Sequence, residues 1–576
     1  MVEEGGQMRQ ERFAVLAQLS DALQRLRHVE RFVRLDGVIE AALPFHEFLR
    51  GLLPAQPFLA LRLPARLLRG VGGGALRRHR RRFFRLERFL ALHLVVAAST
   101  GAQHEKGRSQ NPNGFAAHGR NLHLDPIPPR SVRVVTPART WNRIRFPLSS
   151  AMQHADTLVL SQGPWLTLST PVAPPRGGTA MNDLGEKSDW AAALVDGRIA
   201  ALGPKEEILG AWEADDVLDL GRRLVMPGFI DPHTHPVFNA SREREFEMRN
   251  QGKSYVEIAQ AGGGIRSSVR SLREASEDLL ADLLARRATG FLTLGTTTIE
   301  AKSGYGLSRE DELKSLRAIR SVASSHPLDM IPTFLGAHEI PDEYREDREG
   351  YIRLLIEDMI PAVAAEGLAR YADVFCEAHV FTTEESQRIL EAAAAHGMPA
   401  RVHADEIEST GGAELAVAVG AASADHLGAI SDAGIEALAG SKTIPVLLPG
   451  TSFYLNLDHI APGRRMVDRG LPVALATDFN PGSCPTRSLP MIMTLACLHY
   501  GFTAAEAITA CTVNAAASLG LAEDRGRLEV GLRADIIALD APTARYIPYV
   551  FGENLVTHVI KDGRLVIRND RSETTP

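Results

Sequence analysis

The chain has 576 residues, 45% of them apolar and 23% charged, which is the composition of a globular protein of two to four domains. A net charge of -6 argues against a nucleic-acid partner. The four cysteines, Cys376, Cys484, Cys497 and Cys511, lack any C-x-x-C spacing, which argues against a disulfide framework or a sulfur metal site. No apolar run reaches the roughly 18 residues of a spanning helix. The start, Met1-Val2-Glu3-Glu4-Gly5-Gly6, lacks the layout of a signal peptide. A cytoplasmic protein with no membrane partner is therefore expected.

Residues 1–150 form an atypical N-terminal extension. Short helical patterns over residues 8–50 are followed by a glycine triplet at 72–74 and the run Arg77-Arg78-His79-Arg80-Arg81-Arg82. Residues 100–150 are rich in Gly, Asn, Pro and Arg, as in loops or disorder. Such an arginine run can bind nucleic acid or an anionic membrane. A dispensable, partly disordered extension is the blander reading. The favoured one is a start-site artefact, with the protein proper beginning near Met152, because an alternating, strand-like pattern starts at once in Gln153-His154-Ala155-Asp156-Thr157-Leu158-Val159-Leu160.

A small β domain is expected from both ends of the remaining chain, residues 152–223 and 524–576. Thr157 to Leu168 suggests a strand pair, and 171–188 is a Pro/Gly-rich loop. Residues 191–199 read as strand, Asp-Gly turn, strand. Residues 534–539 read as a strand, and 556–566 as a second hairpin. Together these suggest one β-sandwich built from both termini.

Residues 224–523 alternate strand and helix patterns. The strands are expected at about 224–231, 291–299, 331–337, 371–377, 399–404, 421–425, 443–448 and 472–477. Helical stretches, such as Leu272–Arg287 and Arg309–Ser324, lie between them. Eight units predict an α/β fold, a (β/α)8 TIM barrel, with a doubly wound sheet as the alternative. A barrel gathers its chemistry at the carboxyl ends of its strands.

Polar groups occur there in the sequence. The first strand runs into Asp231-Pro232-His233-Thr234-His235-Pro236, and strand alternation points both imidazoles the same way. The third strand ends in Gly336-Ala337-His338-Glu339, the fifth in His403-Ala404-Asp405-Glu406, and the sixth in Asp425-His426. The eighth ends in Thr477-Asp478-Phe479-Asn480-Pro481-Gly482-Ser483. His233, His235, His403 and Asp478 form an N3O1 donor set that suits one zinc or iron ion. Asp478 can also accept a proton as a water nucleophile forms.

This constellation resembles the amidohydrolase superfamily and, within it, the imidazolonepropionase family. The resemblance covers about 152–570. It is carried by residues 233–238, Ser241-Arg242-Glu243, 251–255, 261–265, Lys302-Ser303-Gly304-Tyr305-Gly306, 333–338, 403–406, 425–426 and 476–483. It implies hydrolytic opening of 4-imidazolone-5-propanoate to N-formimidoyl-L-glutamate, in histidine degradation. It implies one zinc or iron ion per subunit on His233, His235, His403 and Asp478, and a possible homodimer. It further implies substrate contacts from Arg242, Tyr305, His338, Glu406, His426, Asn480, Gly482 and Ser483.

The chemistry of a ring carrying a carboxylate tail agrees with these assignments. Arg242 offers a fixed fork for the tail, Tyr305 a hydroxyl, and the Gly482-Ser483 turn exposed N–H groups. The run Ser241-Arg242-Glu243-Arg244-Glu245 equally suits a surface ion pair. Glu406 is the candidate for proton transfer, and His338 or His426 for stabilising the oxyanion. The fourth strand, Asp373-Val374-Phe375-Cys376-Glu377, has no lysine to bridge two metals, which points to one. Another mononuclear amidohydrolase, such as a cyclic amidine or nucleobase deaminase, is the alternative enzyme. A non-catalytic metal-binding barrel is the alternative from another class.

Overall fold

The computed structural model describes residues 133–134, 152–253, 257–258 and 262–569. The expectations for the rest of 1–151, the arginine run among them, lie outside the described residues, as do Ser254, Tyr255 and Ala261.

Eight strands form one sheet in sequential order: β1 Phe229–Asp231, β2 Thr296–Lys302, β3 Asp329–Ala337, β4 Tyr371–Cys376, β5 Ala400–Ala404, β6 Ser423–His426, β7 Ile444–Leu447 and β8 Ala474–Leu475. Every neighbouring pair is parallel. The last strand returns to the first through a parallel bridge from Thr234 to Phe479, with His235 N–H donating to Phe479 O and Asp478 N–H to His233 O. The buried Asp231 carboxylate reinforces this seam by accepting from Thr477 N–H at 3.0 Å and Thr477 Oγ1 at 2.6 Å. The sheet thus comes round as the expected barrel. Helices cover its outside, so its strands are buried on both faces and read as near-continuous apolar runs.

Two strand expectations need correction. The run 224–231 is two strands, because Leu224–Pro227 pairs antiparallel with Ile536–Leu539 in the other sheet and only Phe229–Asp231 enters the barrel. The run 291–299 is not one strand. Phe291 and Leu292 complete the helix Glu277–Thr293, and Gly295, at φ 87°, turns the chain into β2. Helix caps follow local chemistry. Ser276 accepts from Leu279 N–H, and Thr382 and Glu385 form a reciprocal capping box on Thr383–Ala395. The helix expected at Tyr351–Glu366 contains a π-helical turn at Leu355–Met359.

The other strands form a nine-stranded sheet. Instead of the expected strand pair, Gln153–Leu166 is one long strand. It pairs with Glu186–Val195 on one edge and with Trp212–Asp219 and Leu224–Pro227 on the other. The expected hairpins are present at Glu186–Val195 with Arg198–Pro204, and at Val556–Lys561 with Arg564–Arg568. Arg133–Val134 pairs with the last strand. Val159, Ala192 and Ile199 from the N-terminal part share one core with Ile536, Ala538 and Ile560 from the C-terminal part. Both ends of the core therefore build this element together.

Candidate metal centre

β1, β5 and β8 deliver the expected donors to one place because their carboxyl ends share the barrel mouth. His235 Nε2 lies 3.3 Å from His233 Nε2 and 3.4 Å from His403 Nε2. Asp478 Oδ1 lies 3.4 Å from His235 Nε2 and 3.6 Å from His233 Nε2. His426 Nε2 is buried without a hydrogen-bond partner, and ligand atoms of His426, His233 and His403 lie within 4.8 Å of one another, as do those of Asp478, His233 and His235. Asp478 and His426 take left-handed backbone conformations, at φ 53° and 74°. Such conformations cost roughly 1–2 kcal/mol per non-glycine residue and recur at functional sites.

The donor set fits a borderline divalent ion. Burial above all holds His233 and His235 well below the usual imidazole range, so both are neutral and each keeps a lone pair. His233 Nδ1 is hydrogen-bonded to Asp425 at 2.6 Å, which turns its Nε2 lone pair inward, and His403 Nδ1 faces Asp373 at 3.0 Å without closing a hydrogen bond. The Nε2 atom of His235 stands 3.3–3.4 Å from those of His233 and His403, close enough for one cation to take all three. The buried Asp478 Oδ1 has no hydrogen-bond donor either. Thr451 Oγ1 donates to the other oxygen at 2.5 Å and fixes the carboxylate.

The remaining expected residues surround these donors. His338 stacks on His235, with centroids 5.1 Å apart and planes at 18°. Its Nδ1–H donates to Gly304 O at 2.8 Å, which leaves Nε2 as an acceptor. The buried Tyr305 ring lies 5.4 Å from His338, and burial pushes its phenol up, so it is a donor at neutral pH. The buried Glu312 carboxylate accepts from Gly304, Gly306 and Leu307 N–H and shapes this loop. Glu406 Oε2 lies 3.4 Å from His426 Nδ1. Burial, with Asp478 and Glu377 nearby, pushes Glu406 up to about 8, so it carries a proton at neutral pH. Burial lowers His426 to about 3. A small pocket lined by Glu406, His426, Leu448, Thr451 and Leu457 adjoins them.

Arg242 is both ion-paired and directed at the site loop. Its Nε and Nη2 donate to Glu245 Oε2 at 2.9 and 2.6 Å, and Glu245 is itself tied to Gly264 N–H and Ser267 Oγ. Its Nη1 edge packs against Gly482. The loop after β8 departs from expectation. Asn480 Oδ1 accepts from Gly482 N–H at 2.8 Å and Ser483 N–H at 2.7 Å, while its Nδ2 donates to Asp478 O and Ser483 Oγ. These N–H groups are engaged within the turn and are not free for a carboxylate. Asn480 organises the loop.

Asp373, Asp425, Lys302 and Thr451 also stand at this site, with no role legible in the sequence. No local signal marks them: β4–β5 pairing sets Phe375 beside His403 and β5–β6 pairing sets His403 beside Asp425, a register that only the assembled sheet displays. Glu377 stands at the end of the fourth strand, where no lysine was found. It accepts from Ile407 N–H at 2.9 Å and Glu408 N–H at 3.2 Å, which clamps the loop bearing Glu406.

The profile of the amidohydrolase family matches residues 224–566, and the chain belongs to that family. It is 49% identical over 420 residues to the imidazolonepropionase of Symbiobacterium thermophilum, covering 72% of this chain and 98% of that one. It is 48% identical over 411 residues to that of Geobacillus thermodenitrificans, covering 70% and 96%. These relatives place it in the imidazolonepropionase branch of the family. Among solved structures, E. coli guanine deaminase superposes with a TM-score of 0.56 at 16% identity, over 72% of this chain and 99% of that one. A zinc-bound adenosine deaminase from Xanthomonas campestris gives 0.54 at 16%, over 72% and 93%. Both share the fold. No helix among the described residues is long and apolar enough to cross a membrane.

Proposed function

We propose that the chain hydrolyses 4-imidazolone-5-propanoate to N-formimidoyl-L-glutamate, a carbon–nitrogen bond cleavage that opens a cyclic amide. The carrying observation is the juxtaposition, at one barrel mouth, of a histidine and carboxylate donor set with an arginine held at the adjoining loop. The relatives' shared name supports this reading over a deaminase.

His233, His235, His403 and Asp478 would hold a zinc or iron ion, with His426 beside them. Such an ion supplies Lewis acidity, making water nucleophilic near neutrality and polarising the ring carbonyl. Asp478, fixed by Thr451, accepts the water's proton. The protonated Glu406 is suited to give a proton to the departing ring nitrogen, and neutral His426 relays it through their 3.4 Å contact. Tyr305 donates its hydroxyl to the substrate. Arg242 Nη1 meets the propanoate while Glu245 holds the other edge of the guanidinium.

The test is product formation by the purified protein, together with Arg242→Gln kinetics. We expect turnover with a raised KM in the variant. An unchanged KM removes the carboxylate assignment, and absent turnover removes the substrate.

A further inference from the structure

Beneath the donors lies a group of buried charges that the reaction itself does not use. Lys302 Nζ, at the end of β2, donates to Glu300 Oε1 at 2.7 Å and Asp373 Oδ2 at 2.6 Å. That same Asp373 oxygen is 3.0 Å from His403 Nδ1. Arg401, on β5, places Nη2 3.3 Å from Asp425 Oδ2, and Asp425 Oδ2 is 2.6 Å from His233 Nδ1. Backbone carbonyls hold the same guanidinium, Pro232 O at 2.8 Å and Ser518 O at 3.0 Å. Glu300 links the halves, with Oε1 3.8 Å from Arg401 Nε and Oε2 accepting from Thr234 N–H, between the two histidines of the first strand. The side chains of Lys302, Glu300, Asp373, Arg401 and Asp425 are all 0% exposed.

We propose that Lys302 and Arg401 are positioning residues that act through Asp373 and Asp425 to fix His403 and His233 in the tautomer that offers Nε2 to a divalent ion. This deepens the proposed function, since it rests on that metal-site reading. Each carboxylate sets an oxygen between a buried cation and an imidazole Nδ1. The imidazole proton is held on Nδ1, and Nε2 keeps its lone pair. A histidine in the other tautomer would present N–H to the ion and bind nothing. Stability alone does not call for these groups, because apolar side chains of similar volume serve a barrel interior as well as buried ion pairs do. Among the three imidazoles, His233 Nδ1 closes a hydrogen bond to Asp425, His403 Nδ1 faces Asp373 at 3.0 Å without closing one, and His235 is stacked on His338 with its Nδ1 unpartnered.

The experiment strips the full-length protein with a chelator and titrates it with cobalt(II). It follows the visible ligand-field band, with a chelating dye as competitor. The variants are Asp425→Asn, Asp373→Asn and Lys302→Met, and Asp329→Asn, in a separate ion cluster, controls for lost stability. We expect cobalt affinity to fall about 10- to 100-fold in the first three, with a changed band. In Asp329→Asn the melting temperature should fall while affinity and band stay at wild-type values. The isosteric Asn variants decide the matter if Lys302→Met does not fold. Wild-type affinity and an unaltered band in both Asn variants would overturn the proposal while leaving the metal site intact. A wild-type protein that binds no cobalt would overturn both. A protein that binds cobalt and loses it in the variants, yet fails to open the imidazolone ring, would support this inference and refute only the substrate.

Discussion

Gly482→Ala separates substrate anchoring from folding. The backbone at Gly482 is not in the left-handed region, so alanine is conformationally acceptable there. The new methyl would lie 2.1 Å from Arg242 Nη1 and 2.7 Å from its Cζ. Ordinary contact requires roughly 3.5 Å, so the guanidinium edge must retreat by about 1.4 Å. The Glu245 clamp, at 2.6–2.9 Å, keeps the head from simply rotating elsewhere. Hydrogen bonds to a carboxylate tolerate only a few tenths of an ångström, so one charge-assisted bond to the propanoate is lost, about 1.5–3 kcal/mol. That corresponds to a KM raised about 10- to 150-fold. The clash is with the end of a side chain, so the loss of stability is confined to strain on the Arg242–Glu245 pair, about 0–1 kcal/mol. Steady-state kinetics on the imidazolone propanoate, with a thermal melt alongside, make the test. A KM within twofold of wild type would show that Arg242 does not hold the substrate tail.

Three other outcomes are expected. Glu406→Gln should lower kcat by about 10²- to 10⁴-fold with a smaller effect on KM, measured in single-turnover experiments. Prolonged chelation should abolish turnover and lower the melting temperature, both restored by zinc or ferrous iron, with elemental analysis counting one ion per subunit. Asp329, at the start of β3, pairs with Arg525 and lies 3.1 Å from Lys561. Burial pushes its carboxyl up, but Lys561 and Arg525 together bring it below the usual range. Its stabilising contribution is therefore full above the unfolded carboxylate value, about 3.9, and fades as pH falls through the lower folded value. Asp329→Asn should melt earlier than wild type at pH 7, and the gap should narrow below about pH 4. A constant gap would refute this.

The sequence by itself determined the barrel, and it displays the strand patterns at both ends of the core and the polar residues at the barrel's strand ends. Strand and helix periods are local, and a strand that ends in His-x-His or Thr-Asp displays its chemistry in a few residues. Tertiary structure alone decided the rest. Leu224–Pro227 and Phe229–Asp231 read as one apolar run, and only pairing partners divide them between two sheets. The turn after β8 reads as an open anion cradle until Asn480 is seen to occupy its N–H groups. Lys302, Glu300, Asp373, Arg401 and Asp425 come from four different strands, and no local period marks a buried charge whose partner is about 70 residues away, as for Lys302 and Asp373. Proximity across a closed sheet depends on register, which arises only when the whole barrel is assembled.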